Sequence, residues 1–112
     1  MWWFKPKQAL KTTPGADKLV EMLTEQCCNW FEVPHQVPPK LVVFKANNKT
    51  AIYDVRTDTI WVYGDNNVTA EILAHEVAHA VVLKYGGISP RMHEILAGYA
   101  EFEVRKVFPP RA

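Results

Sequence analysis

The chain has 112 residues and a mass of 12.8 kDa, which is the size of a single domain with one hydrophobic core. With 48% hydrophobic and 22% charged residues, its composition is that of an ordinary globular protein and excludes a disordered or fibrous chain. A formal net charge of +1 provides no basic surface for nucleic acid or an anionic membrane, so we expect neither as a partner.

The sequence also predicts the compartment. No apolar run approaches the roughly 18–20 residues that a membrane span needs, and the segment 1–7 is apolar too briefly to be a secretory signal. The two cysteines, Cys27 and Cys28, are neighbours, which excludes a disulfide scaffold. Cys27 fits the apolar side of a helix, so we expect core packing rather than metal binding. We therefore predict a cytoplasmic protein with free thiols.

The N-terminal part predicts an arm followed by a helix. Residues 1–14 combine Trp2, Trp3 and Phe4 with lysines and prolines, which indicates an extended aromatic arm. Residues 15–112 then form the single domain. Apolar residues at helical spacing predict a helix from about Ala16 to Phe31, and the prolines that follow it end the helix.

Three short strands are predicted next. Leu41–Ala46, Ala51–Arg56 and Ile60–Tyr63 are rich in β-branched and aromatic residues and are separated by turn residues. Because successive strands with short connections usually pair, we expect a small, three-stranded, mainly antiparallel sheet.

Two helices with clear end signals complete the chain. Thr69 or an asparagine just before it can cap a helix that ends near Tyr85, where Gly86 and Gly87 stop it. Ser89 followed by Pro90 begins a last helix that runs to about Val107. Since the connection is short, the two helices should pack antiparallel, and the predicted fold class is α+β.

The first of these helices carries the pattern H-E-x-x-H at His75, Glu76 and His79. Histidines four residues apart lie on one helix face, where two imidazoles can reach one zinc ion at about 2 Å each. Glu76 flanks the metal and can take a proton from a water molecule. The alternative is a structural pair of histidines. However, the helix is apolar nearly all round, and buried polar residues need partners, which one metal ion provides.

A catalytic zinc site needs a third protein ligand, and the last helix offers His93, Glu94, Glu101 and Glu103. Between antiparallel helices, Glu94 lies nearly level with His79, whereas Glu101 lies roughly 10 Å further along, towards or beyond His75. We therefore predict Glu94 as the ligand and Glu101 as a residue outside the ligand set. The alternative for Glu94 is a carboxylate favoured by the helix dipole in a first turn.

The segment His93–Phe102 resembles the glutamate helix of gluzincin aminopeptidases, whose pattern is Asn-Glu-Gly-Phe-Ala-Ser-Tyr-Val-Glu-Tyr, with Glu94, Ala97, Tyr99 and Glu101 coinciding. Together with H-E-x-x-H, this resembles the gluzincin zinc metallopeptidases, and the small size resembles the minigluzincins. The resemblance implies a minimal zincin-like fold with one zinc ion, held by His75, His79 and Glu94, and Glu76 as the general base. It also implies that Ile60–Tyr63 is the sheet edge that pairs with an extended peptide.

The chain departs from the large gluzincins in three ways. Only 14 residues, 80–93, separate His79 from Glu94, and Gly98 stands where thermolysin-like enzymes have an aspartate. We expect no counterpart of the downstream lobe that supplies a transition-state stabiliser in those families. His93 and Tyr99 are the best candidates for that role, and Glu101 for support of a ligand.

Two functions follow as hypotheses. The first is a zinc-dependent peptidase, with low activity on its own, that acts on a peptide or protein substrate. The second is a non-enzymatic, zinc-stabilised binding or regulatory module for a protein partner. We also expect a shallow, open cleft that the aromatic arm, a second copy of the chain or a partner completes, so that the chain could form a homo-oligomer through the arm.

Overall fold

Residues 9–10, 15–44, 51–64 and 67–107 of a computed structural model are described here. They form three helices and a small mixed sheet, which confirms the predicted α+β class. In chain order the elements are β1 (Ala9–Leu10), α1 (Ala16–Phe31), β2 (Lys40–Phe44), β3 (Ala51–Asp54), β4 (Thr59–Tyr63), α2 (Ala70–Tyr85) and α3 (Pro90–Val107). Apart from β1, the predicted aromatic arm lies outside the described residues, and so does the predicted first turn of the sheet.

The strand order is β1-β2-β4-β3, and this corrects the prediction of an antiparallel meander. β4 lies between β2 and β3 and pairs parallel with β2, from Lys40↔Thr59 to Phe44↔Tyr63. β3 pairs antiparallel with β4, and the two-residue β1 pairs antiparallel with β2. The segment predicted to be the peptide-binding edge, Ile60–Tyr63, is therefore central, and β3 is the outer strand on that side of the sheet.

The composition of the strands explains this order. β4 is apolar on both faces, as is typical of a strand with neighbours on both sides. β3 carries Asp54 and a half-exposed Ile52, which suit an outer strand. The short connection between β2 and β3 predicted that these two strands pair. In the structure β4 lies between them, because the central position buries both faces of β4.

One face of the sheet carries the core. The register pairs Leu41 with Ile60 and Val43 with Val62, so these four buried side chains share one face. α1 and α2 cover this face with the buried side chains of Val20, Leu23, Cys27, Leu73, Val77 and Val81. On the opposite face, the Phe44 ring stacks on Trp61 and Tyr63, with centroids 5.3 and 5.4 Å apart. The sheet thus has one helix-covered face and one aromatic face.

The helix ends follow the predicted signals. The Thr69 hydroxyl accepts a hydrogen bond from the Ile72 backbone N–H at 3.2 Å and caps α2. Gly86, with a φ of 85°, ends α2 in a conformation that favours glycine. The Ser89 hydroxyl caps α3 in the same way, accepting from the Met92 N–H at 3.2 Å. These caps fix the positions at which α2 and α3 begin.

The two cysteines of α1 are free and buried in the core. Burial raises the pKa of the Cys27 thiol to about 12, and the neighbouring Cys28 acts in the same direction. A thiol with so high a pKa is a poor metal ligand and a poor nucleophile at neutral pH. Separately, none of the three described helices combines the length and hydrophobicity needed to cross a membrane.

The central position of β4 predicts unequal costs for two isoleucine truncations. Ile60 is 0% exposed on β4, whereas Ile52 is 47% exposed on β3. We expect Ile60→Ala to lower the free energy of unfolding by about 2–5 kcal/mol, because it leaves a cavity in the core. Ile52→Ala, the matched control, should cost much less. Urea titrations of both variants measure the difference, and equal costs would contradict the strand order.

Candidate metal centre

α2 and α3 pack antiparallel through three successive side-chain contacts. Arg105 Nε lies 2.9 Å from Glu71 Oε2, Glu101 Oε2 lies 2.5 Å from His75 Nδ1, and Glu94 Oε2 lies 3.5 Å from His79 Nε2. As residue numbers rise along α2, those of their partners fall along α3. The register therefore brings Glu94 level with His79 and Glu101 level with His75.

Three ligand atoms converge between the helices. One atom from each of His75, His79 and Glu94 lies within 4.8 Å of the other two, the one such group found in the part of the chain that the structure describes. The two Nε2 atoms are 3.2 Å apart, and the Glu94 oxygens lie 3.9 Å from His75 Nε2 and 3.5 Å from His79 Nε2. Four ligands placed tetrahedrally at about 2.0–2.1 Å from zinc are roughly 3.3 Å apart. The residues present thus fit a zinc ion.

The hydrogen bond to Glu101 prepares His75 for this role. A carboxylate can only accept, so Nδ1 of His75 donates this hydrogen bond and Nε2 is left as the ring nitrogen that can bind a metal ion. Nε2 lies 3.2 Å from His79 Nε2 and 3.9 Å from a Glu94 oxygen, both of which can also donate an electron pair. A cation would satisfy all three groups together, as in metal sites whose ligands are supported by a carboxylate.

The surroundings of the second histidine, His79, favour its neutral form. Burial lowers the pKa of His79, and the charge of His75 lowers it further, while Glu94 acts in the opposite direction. Only the neutral imidazole can bind a metal ion. The protein environment of His79 therefore favours its metal-binding form at neutral pH.

Glu76 lies in a desolvated position beside the ligands. Burial raises the pKa of its carboxyl, and the charges of Glu94 and Glu101 raise it further. His75 and the backbone N–H of Tyr53 on β3 partly oppose this shift. Glu76 thus lies on the helix that carries both histidines and packs against β3, and its pKa is raised, as suits a group that exchanges protons.

The site is open on the side of Glu94. The Glu94 side chain is 69% exposed, whereas His75 and His79 are 29% and 18% exposed. The histidines form the floor and the glutamate forms the rim. A metal ion held here would be accessible from solvent on the side of Glu94.

Of His93, Tyr99 and Glu103, which the sequence also singled out, only His93 lies at the site. Its ring stacks on the ring of His79, with centroids 5.8 Å apart. Tyr99 does not join it, since its ring packs edge-on against Trp30, 6.2 Å away. Glu103 binds Lys106 instead of approaching the histidines. Of the two best candidates for the stabiliser, His93 alone is near the site.

Sequence reasoning missed the role of Arg105. Its guanidinium contacts Glu71 of α2 and lies 4.0 Å from Glu101, four residues earlier on α3. It therefore helps hold the carboxylate that binds His75. The available signal was the spacing of Glu101 and Arg105, since oppositely charged residues four apart on a helix are neighbours.

Comparisons with known proteins found no match: no protein-family model, curated protein or solved structure matches the chain. The interpretation of the site therefore depends on its residues and their geometry. The resemblance to gluzincins carried by His75–His79 and Glu94–Glu101 therefore stays a prediction from the residues.

The contact between Glu101 and His75 predicts a specific loss of metal affinity. Glu101→Ala should weaken zinc binding by about 10–100-fold, because the imidazole loses the partner that orients it. Glu103→Ala, on the same helix, is the matched control and should bind zinc like the wild type. Competition titrations with a chromogenic chelator measure both. Loss of affinity in both variants, or in neither, would contradict the assignment.

Proposed function

We propose that the protein is a zinc-dependent peptidase of the gluzincin type, with His75, His79 and Glu94 as metal ligands and Glu76 as the general base. The observation that carries this proposal is the convergence of the three ligand atoms beside a desolvated carboxylate, on an open side of the molecule. The donor set of two imidazoles and one carboxylate is typical of catalytic zinc, which leaves a position for water and substrate.

The bound metal, Glu76 and Glu101 would have different roles in the proposed reaction. A zinc ion bound there would act as a Lewis acid that polarises a substrate carbonyl and lowers the pKa of a water molecule to about 7. Glu76 takes the proton from the attacking water and passes it to the leaving amine, which releases the two peptide products. Its raised pKa brings the two protonation states closer in energy. Glu101 orients His75 throughout, because it holds Nδ1.

Strand β3 supports a peptide as the substrate. Within the described residues β3 pairs only with β4, so its other edge is free to pair with the backbone of an extended peptide. The helix that carries Glu76, α2, packs against this strand. A peptide aligned on β3 would thus pass beside the general base. This transfers the expected peptide-binding edge from Ile60–Tyr63 to Ala51–Asp54.

The alternative function, a zinc-stabilised binding or regulatory module, requires a different kind of zinc site. A structural zinc site is closed by four protein ligands. The described residues bring together three, and Glu94 lies at the solvent-exposed rim. These features support the peptidase. They also support low activity for the chain on its own, because an open site shields its charges poorly from water.

Glu76→Gln provides the test of the proposal. The variant should keep zinc stoichiometry but lose at least about 100-fold in cleavage of a peptide library, because the amide cannot accept the proton. In the metal-free state its melting temperature should equal or exceed that of the wild type, since burial disfavours the ionised carboxyl that it replaces. Mass spectrometry of the digest, metal analysis and thermal unfolding measure the three quantities.

Glu25→Gln on α1 is the matched control, because that side chain is exposed and far along the chain from the ligands. It should cleave like the wild type. Equal cleavage by wild type and Glu76→Gln would refute the assigned base. No cleavage by either, together with a large loss of thermal stability on chelation, would favour the binding module instead.

A further inference from the structure

The outward face of α3 carries a row of exposed apolar side chains. Met92, Ile95, Tyr99 and Phe102 follow one another at intervals of three, four and three residues and so share one helix face. They are 43%, 54%, 42% and 54% exposed. Soluble proteins seldom leave such a continuous apolar row in water. We call this row the α3 ridge.

A groove runs along the ridge. It has a volume of about 470 Å³ and lies between α1, the end of α2 and the start of α3. Its apolar lining includes Trp30, Val82, Tyr85, Ile88 and Leu96, together with Met92, Ile95 and Tyr99 of the ridge itself. Ridge and groove therefore form a single surface, in which one wall of the groove is also the flank of the ridge.

We propose that this surface binds a second copy of the chain as a two-fold symmetric dimer. A two-fold interface uses the same patch on both subunits, so the patch has to be complementary to itself. A ridge beside a groove meets this condition, since each ridge can enter the groove of the other copy. The two insertions are equivalent by symmetry.

The apolar area matches what a stable dimer needs. Tyr85 of the groove is 57% exposed, and with the four ridge residues it makes five half-exposed large side chains. At about 150–250 Å² each when fully exposed, these contribute on the order of 500 Å². A standard interface buries about 800 Å² per partner, of which roughly 65%, or about 520 Å², is apolar in homodimers.

The charges around the surface favour a copy of the same chain over a strongly charged partner. Both signs lie near it, since Glu32 lines the groove and Lys106 lies beside Phe102 of the ridge. Lys106 is already engaged, because its ammonium binds Glu103 and lies 4.7 Å from the centre of the Phe102 ring. The surface thus lacks the net charge that would select nucleic acid or an anionic membrane.

Gly98 gives independent support. Glycine inside a helix costs about 1 kcal/mol relative to alanine, yet a Cβ at Gly98 would meet nothing within 4 Å. Packing among the residues that the structure describes therefore does not require glycine here. Gly98 lies three residues after Ile95 and four before Phe102, so it leaves a flat place beside the ridge where a second helix can approach closely.

The ridge does not include the residues of the candidate metal centre. Glu94 and Glu101, seven residues apart, lie on another face of α3 and contact the histidines of α2. The inference therefore does not depend on the proposed peptidase, and each can fail without the other.

Sedimentation equilibrium of the full chain from about 1 to 200 μM tests the proposal. We expect the wild type to reach the mass of a dimer within this range. The double variant Ile95→Glu/Phe102→Glu should associate at least about tenfold more weakly, because it places charges in an apolar contact. Its circular dichroism and melting temperature in dilute solution should match those of the wild type.

Met22→Glu/Val37→Glu is the matched control, since both side chains are exposed apolar residues outside α3 and outside the proposed peptide-binding strand. It should dimerise like the wild type. A wild type that stays monomeric throughout would overturn the proposal and indicate that another partner or another segment of the chain covers the surface. An unchanged dimer in the double α3 variant would overturn it equally.

Discussion

The antiparallel register of α2 against α3 is the constraint on which the site depends. Neither helix carries a complete metal site, and a shift of one turn would move each carboxylate about 5.4 Å along its partner. The register is set by short-range features: Gly86 ends α2, Ser89 caps α3, and four residues connect the two helices. Buried alanines in both helices, including Ala78, Ala97 and Ala100, leave room for the close approach that short glutamate side chains require.

Folding and chemistry are coupled through the polar face of α2. Most of this helix is buried and apolar, so His75, Glu76 and His79 are costly to place there without partners. Glu101 offsets part of this cost by binding His75, and Arg105 in turn lies beside Glu101. The remaining cost of burying charge lowers the pKa of His79 and raises the pKa of Glu76. A cation held by His75, His79 and Glu94 would offset the cost of burying the two histidines and leave Glu76 available as the proposed base.

The sequence predicted the helix bounds and the position of Glu94 level with His79, because both depend on local signals. Caps at Thr69 and Ser89 fix the helix bounds, and helix geometry then fixes which residues are level across the pair. The strand order was not predictable in this way, because pairing in a sheet joins residues that are distant in the sequence. The central position of Thr59–Tyr63 depends on burial of both its faces, which only the assembled fold defines. Tyr99 shows the same limit, since only the packing of α1 reveals that Trp30 takes its ring away from the site.

X-ray absorption spectroscopy of the protein loaded with one equivalent of zinc tests the central claim most directly, because it identifies the ligand atoms without requiring a substrate. The account predicts a shell of nitrogen and oxygen ligands alone at about 2.0–2.1 Å, with the outer-shell scattering of two imidazole rings. The signal of one imidazole should disappear in His79→Ala. A sulfur ligand at about 2.3 Å would implicate Cys27 or Cys28. That result, or a wild-type spectrum with fewer than two imidazoles, would contradict the account.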